Sequence, residues 1–138
     1  MIICGFPGTG KSFVAKFYNW VDLESTPFEK DWVRYAKVAK HMSDNGYTVM
    51  VSTHKELLKE FEQIEVPYTV ILPHPSDKEE FLNRYRVRGN SEEFIENINL
   101  HWEEWIDSIL YTKSVLKTVV FLPLDGCIAG WGRNLGII

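Results

Sequence analysis

Gly5-Phe6-Pro7-Gly8-Thr9-Gly10-Lys11-Ser12 fits G-x-x-x-x-G-K-[ST], the phosphate-binding P-loop or Walker A pattern. The residue types suit the chemistry. A phosphate needs several backbone N–H groups aimed inward at close range, and glycines reach the backbone angles that form such a nest. A helix opening at the end of the loop adds its positive N-terminus at the same point. Lys11 can reach β- and γ-phosphates as a point charge, and the Ser12 hydroxyl can ligate Mg²⁺. The pattern carries meaning only between a strand and a helix. That context is present. Met1-Ile2-Ile3-Cys4 is a short apolar strand candidate, and Phe13, Val14, Phe17 and Tyr18 recur at helical spacing. The expected nucleotide-binding residues are therefore Gly5, Gly8, Thr9, Gly10, Lys11 and Ser12.

Outward from this loop, strand-like and helix-like segments alternate, the pattern of a parallel sheet with helices on both faces. Trp20-Val21-Asp22-Leu23 is a short second strand. Thr26-Pro27-Phe28-Glu29 has the form of a helix start, with Thr26 as N-cap, proline in first position and Glu29 closing a capping box. Phe28, Trp32, Tyr35, Ala36, Ala39 and Met42 follow with helical period, and Asn45-Gly46 ends that helix. Residues 47–52 are nearly all apolar, as a strand buried on both faces requires. Thr53-x-x-Glu56 and Ser76-x-x-Glu79 predict two more capping boxes, opening helices that run through Phe61 and to Arg88. Between them, residues 66–72 form a fourth strand, with Pro67 near its start, where a missing N–H is tolerated. Gly89-Asn90 breaks the chain, and Ser91 caps a long helix with Phe94, Ile98, Trp102, Trp105, Ile106 and Ile109 on one face. Residues 115–122 are the fifth strand, while 126–138 hold four glycines without periodicity and take no assignment. The expectation is an α/β three-layer sandwich on a right-handed parallel sheet.

Composition bounds the rest. The 138 residues suit one domain, with 45% apolar and 25% charged residues, a balance that excludes a disordered chain. No apolar run approaches the roughly 20 residues that span a bilayer, so no membrane segment is expected. The N-terminus lacks the basic and apolar regions of a signal peptide. Cys4 and Cys127 have no metal-binding spacing, and Cys4, in an apolar run, reads as a buried thiol in a reducing compartment, the cytoplasm. A formal charge of −4 argues against a general nucleic-acid binder, whose footprint is a basic face. It leaves room for a nucleotide, which a few local cations hold.

Phosphoryl transfer needs more than a P-loop: a carboxylate for Mg²⁺ or the attacking hydroxyl, and cations for the transferred charge. Carboxylates at the carboxyl ends of parallel strands face the crevice where ligands bind in open α/β sheets. Asp22 and Glu24 end the second strand two residues apart and can share a face. Asp22 is the candidate acceptor-orienting base and Mg²⁺ ligand; the plainer reading of both is a solvated loop. In Arg84-Tyr85-Arg86-Val87-Arg88, Arg84 and Arg88 share one helical face and Arg86 points elsewhere. The pair, ahead of Gly89-Asn90, forms a candidate catalytic lid beside Lys11. Its plainer reading is a basic surface paired with Glu79 and Glu80. Phe28, Trp32 and Tyr35 could stack a nucleobase or belong to the core. The third strand ends in Ser52-Thr53-His54, with no acidic residue where a conventional P-loop ATPase offers one. Trp102 and Trp105 read as core.

Taken together, these segments resemble a small P-loop kinase of the nucleoside-monophosphate-kinase type, in particular compact phage-encoded (deoxy)nucleotide kinases. The resemblance extends to about Leu122 and rests on Gly5–Ser12, Val21-Asp22-Leu23-Glu24-Ser25 with Phe28 and Trp32, Val51-Ser52-Thr53-His54-Lys55, and 84–90. It implies ATP on Gly8–Ser12 with Mg²⁺, an acceptor-site acid at Asp22, lid arginines at Arg84 and Arg88, and strand order 2-3-1-4-5. The short lid and the missing arginine signature after the third strand depart from many adenylate kinases. The acceptor implied is a (deoxy)nucleoside monophosphate. Alternatives are a nucleotide-binding regulator or host-factor inhibitor with little transfer activity, and a kinase of a polynucleotide 5′ end or a metabolite.

Overall fold

A computed structural model describes residues 1–122 and Cys127, without the side chains of Ser12, Phe13 and Phe17. The glycine-rich tail at 126–138 lies outside the described residues, Cys127 apart. Strand β1 (Ile2–Gly5) runs through the middle of a five-stranded sheet. Around it stand β2 (Val21–Asp22), β3 (Val49–Val51), β4 (Tyr68–Pro73) and β5 (Lys117–Leu122), in the order β2-β3-β1-β4-β5 with every pairing parallel. This is the expected sheet. The register sets Cys4 opposite Val51 and Val70, so β1 and β3 end within a residue of each other beside the loop, while β4 runs on to Pro73.

Alternation along β1 divides the core. Ile2 and Cys4 face a large cluster shared with α2 (Trp32–Asp44), α3 (Lys55–Gln63), α4 (Lys78–Val87) and α5 (Glu92–Tyr111). Ile3 faces the other way, into a smaller cluster with Met50, Ile71 and Leu122 covered by Val14 of α1 (Lys11–Tyr18), on which Cys127 also packs. Four helices thus cover one face and α1 the other, giving three layers. Among the described residues, no helix is long and apolar enough to cross a membrane.

Three helix starts differ from the sequence expectation. Thr26–Phe28 is a separate 3₁₀ turn, and the chain passes through left-handed angles at Glu29 and Lys30 (φ 49° and 66°) before α2 begins. Asp31 is the working N-cap, its carboxylate accepting from the Arg34 N–H at 3.1 Å. A short carboxylate here outcompetes Thr26, and the break folds Phe28 back onto Tyr35, ring centroids 4.8 Å apart. That contact offsets left-handed backbone, which costs roughly 1–2 kcal/mol per residue. Helix α3 starts after His54 and α4 after Asp77, neither with a side-chain cap bond. The His54 ring has turned to Ser52, and Ser76 is taken up in a 3₁₀ turn begun by Pro75. Ser91 does cap α5, accepting from Phe94 N–H at 3.1 Å.

Candidate functional site

The loop leaves β1 still paired: Phe6 N–H donates to Ile71 C=O at 3.1 Å. It then closes on itself, because Thr9 donates to Phe6 C=O twice, from its N–H at 3.2 Å and its hydroxyl at 2.6 Å. Thr9 is wholly buried, the one polar side chain so placed among the described residues. Gly8 and Gly10 have φ of 87° and 96°, angles at which any side chain is strained. A Cβ on Gly5 would fall 2.9 Å from the Lys11 stem, so the loop wraps that side chain too closely for any other residue. Gly10 caps α1 without a side chain, which leaves the first N–H groups of the helix for an anion. Burial holds the Lys11 ammonium below its ordinary value, while the nearby Asp22 and Glu24 carboxylates pull it back up. A desolvated cation in a ring of backbone donors fits a polyphosphate. The Ser12 side chain, the other expected Mg²⁺ ligand, lies outside the described residues.

Helix α4 packs directly on this loop. A Cβ on Gly8 would meet Tyr85 Cε1 at 3.0 Å and Phe81 Cδ1 at 3.1 Å, so these two rings clamp the glycine. The Tyr85 hydroxyl donates to Pro7 C=O at 2.7 Å, and burial pushes its pKa up, keeping it a donor. Arg84 Nη1 donates to Gly8 C=O at 3.2 Å, and its Nε lies 3.4 Å from Glu80. Arg88 reaches further, into the cavity beyond the loop, with its Nε 3.1 Å from Asn90 Oδ1. Arg86 is exposed. The two arginines therefore share a face but divide the work: Arg84 braces the loop and Arg88 faces the open space. Phe81, Leu82 and Tyr85 root α4 in the core, so the helix holds Arg84 on the loop and Arg88 at the cavity.

That cavity has a volume of about 440 Å³. Gly8, Gly10 and Lys11 form one wall; Asp22, Leu23, Glu24, Ser25 and Ser52 form the opposite one; Arg88, Asn90 and Phe94 complete it. The β2 end is tied down by Leu23 N–H to Met50 C=O at 2.9 Å, and by Tyr35. The Tyr35 hydroxyl donates to Leu23 C=O and accepts from Ser52 N–H at 3.4 Å. Tyr35 is thus a brace with its ring buried, and of the three candidate stacking aromatics it alone lines the cavity. Trp32 instead lies 4.8 Å from His54, whose Nδ1 is 2.7 Å from Ser52 Oγ. Burial, reinforced by Lys11, holds His54 below its ordinary pKa against the pull of Glu56. Trp102 is core, as expected, and its indole N–H donates to Pro75 C=O at 3.0 Å.

Lys11, Asp22, Glu24 and Arg88 were all legible as candidates, and the fold brings them to one cavity. Tyr85 and the hydroxyl of Tyr35 were not singled out for the contacts they make. Their signal is a tyrosine embedded in an arginine run and one at a core position of α2. A second depression of about 540 Å³ runs along α2 past Arg34, Lys37 and His41. It is one helix's surface, with no loop or strand end to supply converging groups. Among the described residues, no three His, Cys, Asp or Glu side chains converge on a metal position. Mg²⁺ on a nucleotide needs only one or two protein oxygens beside the phosphates, and Asp22 offers one.

No protein-family model matches the chain, and no curated protein matches it in sequence. A crystal structure of an uncharacterized protein from Eubacterium ventriosum is similar in fold, with a TM-score of 0.50 and 13% identity over 97% of this chain and 94% of that one. That likeness speaks to the fold alone.

Proposed function

We propose that this protein is a P-loop kinase that transfers the γ-phosphoryl group of ATP to a small acceptor. One observation carries the reading: the cavity above the phosphate loop is faced at once by Lys11, Arg88 and Asp22. Loop N–H groups and Lys11 bind the phosphates, and Arg88 meets the charge that spreads over the transferred phosphoryl oxygens. Asp22, across the cavity, orients the acceptor and takes its proton, or holds Mg²⁺ through water. When bound, Mg²⁺ neutralises β- and γ-phosphate charge; Ser12 and Asp22 are the residues that would hold it. Arg84 acts at one remove, by fixing the loop carbonyl of Gly8. The buried free thiol of Cys4 and the use of ATP suit a reducing cytoplasm, that of the host if the chain is phage-encoded.

Calorimetry with Mg-ATP, followed by ADP release with candidate acceptors, tests the proposal. On the resemblance, (deoxy)nucleoside monophosphates are the first acceptors to assay. Binding without acceptor-dependent ADP release would instead favour a nucleotide-binding regulator. No binding at all would remove the kinase reading.

A further inference from the structure

The resemblance implies a monophosphate acceptor, but the acceptor wall carries the wrong charge for one. Seating a second phosphate beside ATP requires cations beyond those that hold ATP. Among the described residues lining the cavity, the cations are Lys11 of the loop and Arg88 at the end of α4. Arg84 does not line it; its Nη1 is directed to a loop carbonyl. The facing wall presents Asp22 and Glu24 with the neutral groups Ser25 and Ser52. Both carboxylates line the cavity with Lys11 and act on it, pulling its pKa up against burial. Among the described residues, neither carboxylate receives a hydrogen bond. Ionised carboxylates only accept, and a phosphate dianion has no hydrogen to offer them. A hydroxyl does. Mg²⁺ does not change this balance, because ATP carries about four negative charges and Mg²⁺ with Lys11 and Arg88 does no more than offset them. Like charges brought face to face repel, and a site can reject a wrong ligand in this way.

Resting on the kinase reading above, we infer that the acceptor is a neutral, hydroxyl-bearing small molecule, a nucleoside or a polyol, and not a nucleoside monophosphate. Its hydroxyls donate to Asp22 and Glu24, while Ser25, Ser52 and Asn90 supply uncharged partners. In the transfer, the acceptor oxygen forms a bond to Pγ as the bond from Pγ to the β-bridging oxygen breaks. The electron pair of that bond leaves with ADP, and the hydroxyl proton passes to the Asp22 carboxylate and then to water.

The test measures ADP release from Mg-ATP with matched pairs: each deoxynucleoside against its 5′-monophosphate, and glycerol and pentitols against their phosphates. Binding of Mg with a non-hydrolysable ATP analogue is followed in parallel by calorimetry. The expected result is turnover on a neutral member, with kcat/KM at least tenfold above that on its phosphate. The nucleoside and polyol arms say which source is used. In Glu24→Gln the discrimination against the phosphate should shrink by about tenfold, because one of the two repelling charges is gone. Preference for the monophosphate, or no turnover on any neutral compound while the analogue binds, overturns this acceptor class and leaves the phosphate site standing. Failure of the analogue to bind removes both.

Discussion

The two walls of the cavity are built by opposite means. The loop wall is embedded: Thr9 is buried, Gly8 is clamped by Phe81 and Tyr85, and two carbonyls of the loop accept from side chains of α4. The acceptor wall hangs on β2, a two-residue edge strand whose residues are all partly exposed. It is followed by a 3₁₀ turn and left-handed backbone, and one tyrosine hydroxyl ties it to β3. The difference has a physical logic. A phosphate chain is recognised by backbone groups whose geometry must be fixed beforehand, since ordering them on binding would reduce affinity. On the kinase reading proposed above, a wall that selects an acceptor gains from being set on a marginal element, where side chains can change without disturbing the core.

The largest expected effect strikes the acceptor wall. Asp22→Asn should lower turnover by about 10²–10⁴-fold, as loss of a positioned acid–base group does, with melting temperature and ATP affinity nearly unchanged. Steady-state kinetics beside a thermal melt checks it. A fully active variant would make Asp22 a solvated strand-end carboxylate and erase the functional contrast between the walls. Next come the arginines. Arg88→Ala should cut kcat by about 10²-fold, the usual loss on removing a donor to the transition state, and Arg86→Ala far less. Arg84→Ala should weaken ATP binding as well, because Arg84 acts through the Gly8 carbonyl. Equal activity in all three would return the basic face to solvent.

Lys11→Met belongs to the loop wall and should weaken Mg-ATP by about 1.5–3 kcal/mol, one charge-assisted contact, read by calorimetry. It also has a signature in the apo protein. Burial depresses the native pKa of Lys11 below 10.5, its ordinary value. Between the two values the unfolded chain binds a proton that the native chain does not, so stability from this group rises with pH through that window. Below the window the cost is fully present. The variant should lose this alkaline rise in melting temperature, and its persistence would place the lysine in solvent.

What was legible follows the same division. The P-loop, the sheet and the strand-end acids were readable because each rests on local chemistry: glycine angles, apolar runs, and charge at a strand terminus. The start of α2 was not, because Thr26 and Asp31 both satisfy the N-cap rule and only the packing of Phe28 on Tyr35 decides between them, whereas Ser91 was readable as the cap of α5. The split between Arg84 and Arg88 was equally hidden. Periodicity places both on one face, but only the fold shows that one stops at Gly8 and the other passes it.

The smallest effect tests the tether itself. Tyr35 is completely buried, and its hydroxyl joins Leu23 C=O, between the two acids, to Ser52 N–H at the end of β3. Burial pushes its pKa up, so the group stays protonated and remains a donor across the ordinary pH range. Tyr35→Phe keeps the ring and its contact with Phe28 but leaves both backbone groups without this partner. A net loss of about 0.5–1.5 kcal/mol in stability should follow, the ordinary worth of one hydrogen bond. If the hydroxyl only stabilises the fold, kinetics will not move. If it positions the acids, kcat should fall several-fold while Mg-ATP affinity, set by the other wall, stays put. That split is the discriminating readout. A matched loss of ATP affinity would mean the two walls move as one body, and the contrast between a rigid loop and an adaptable acceptor wall would fail.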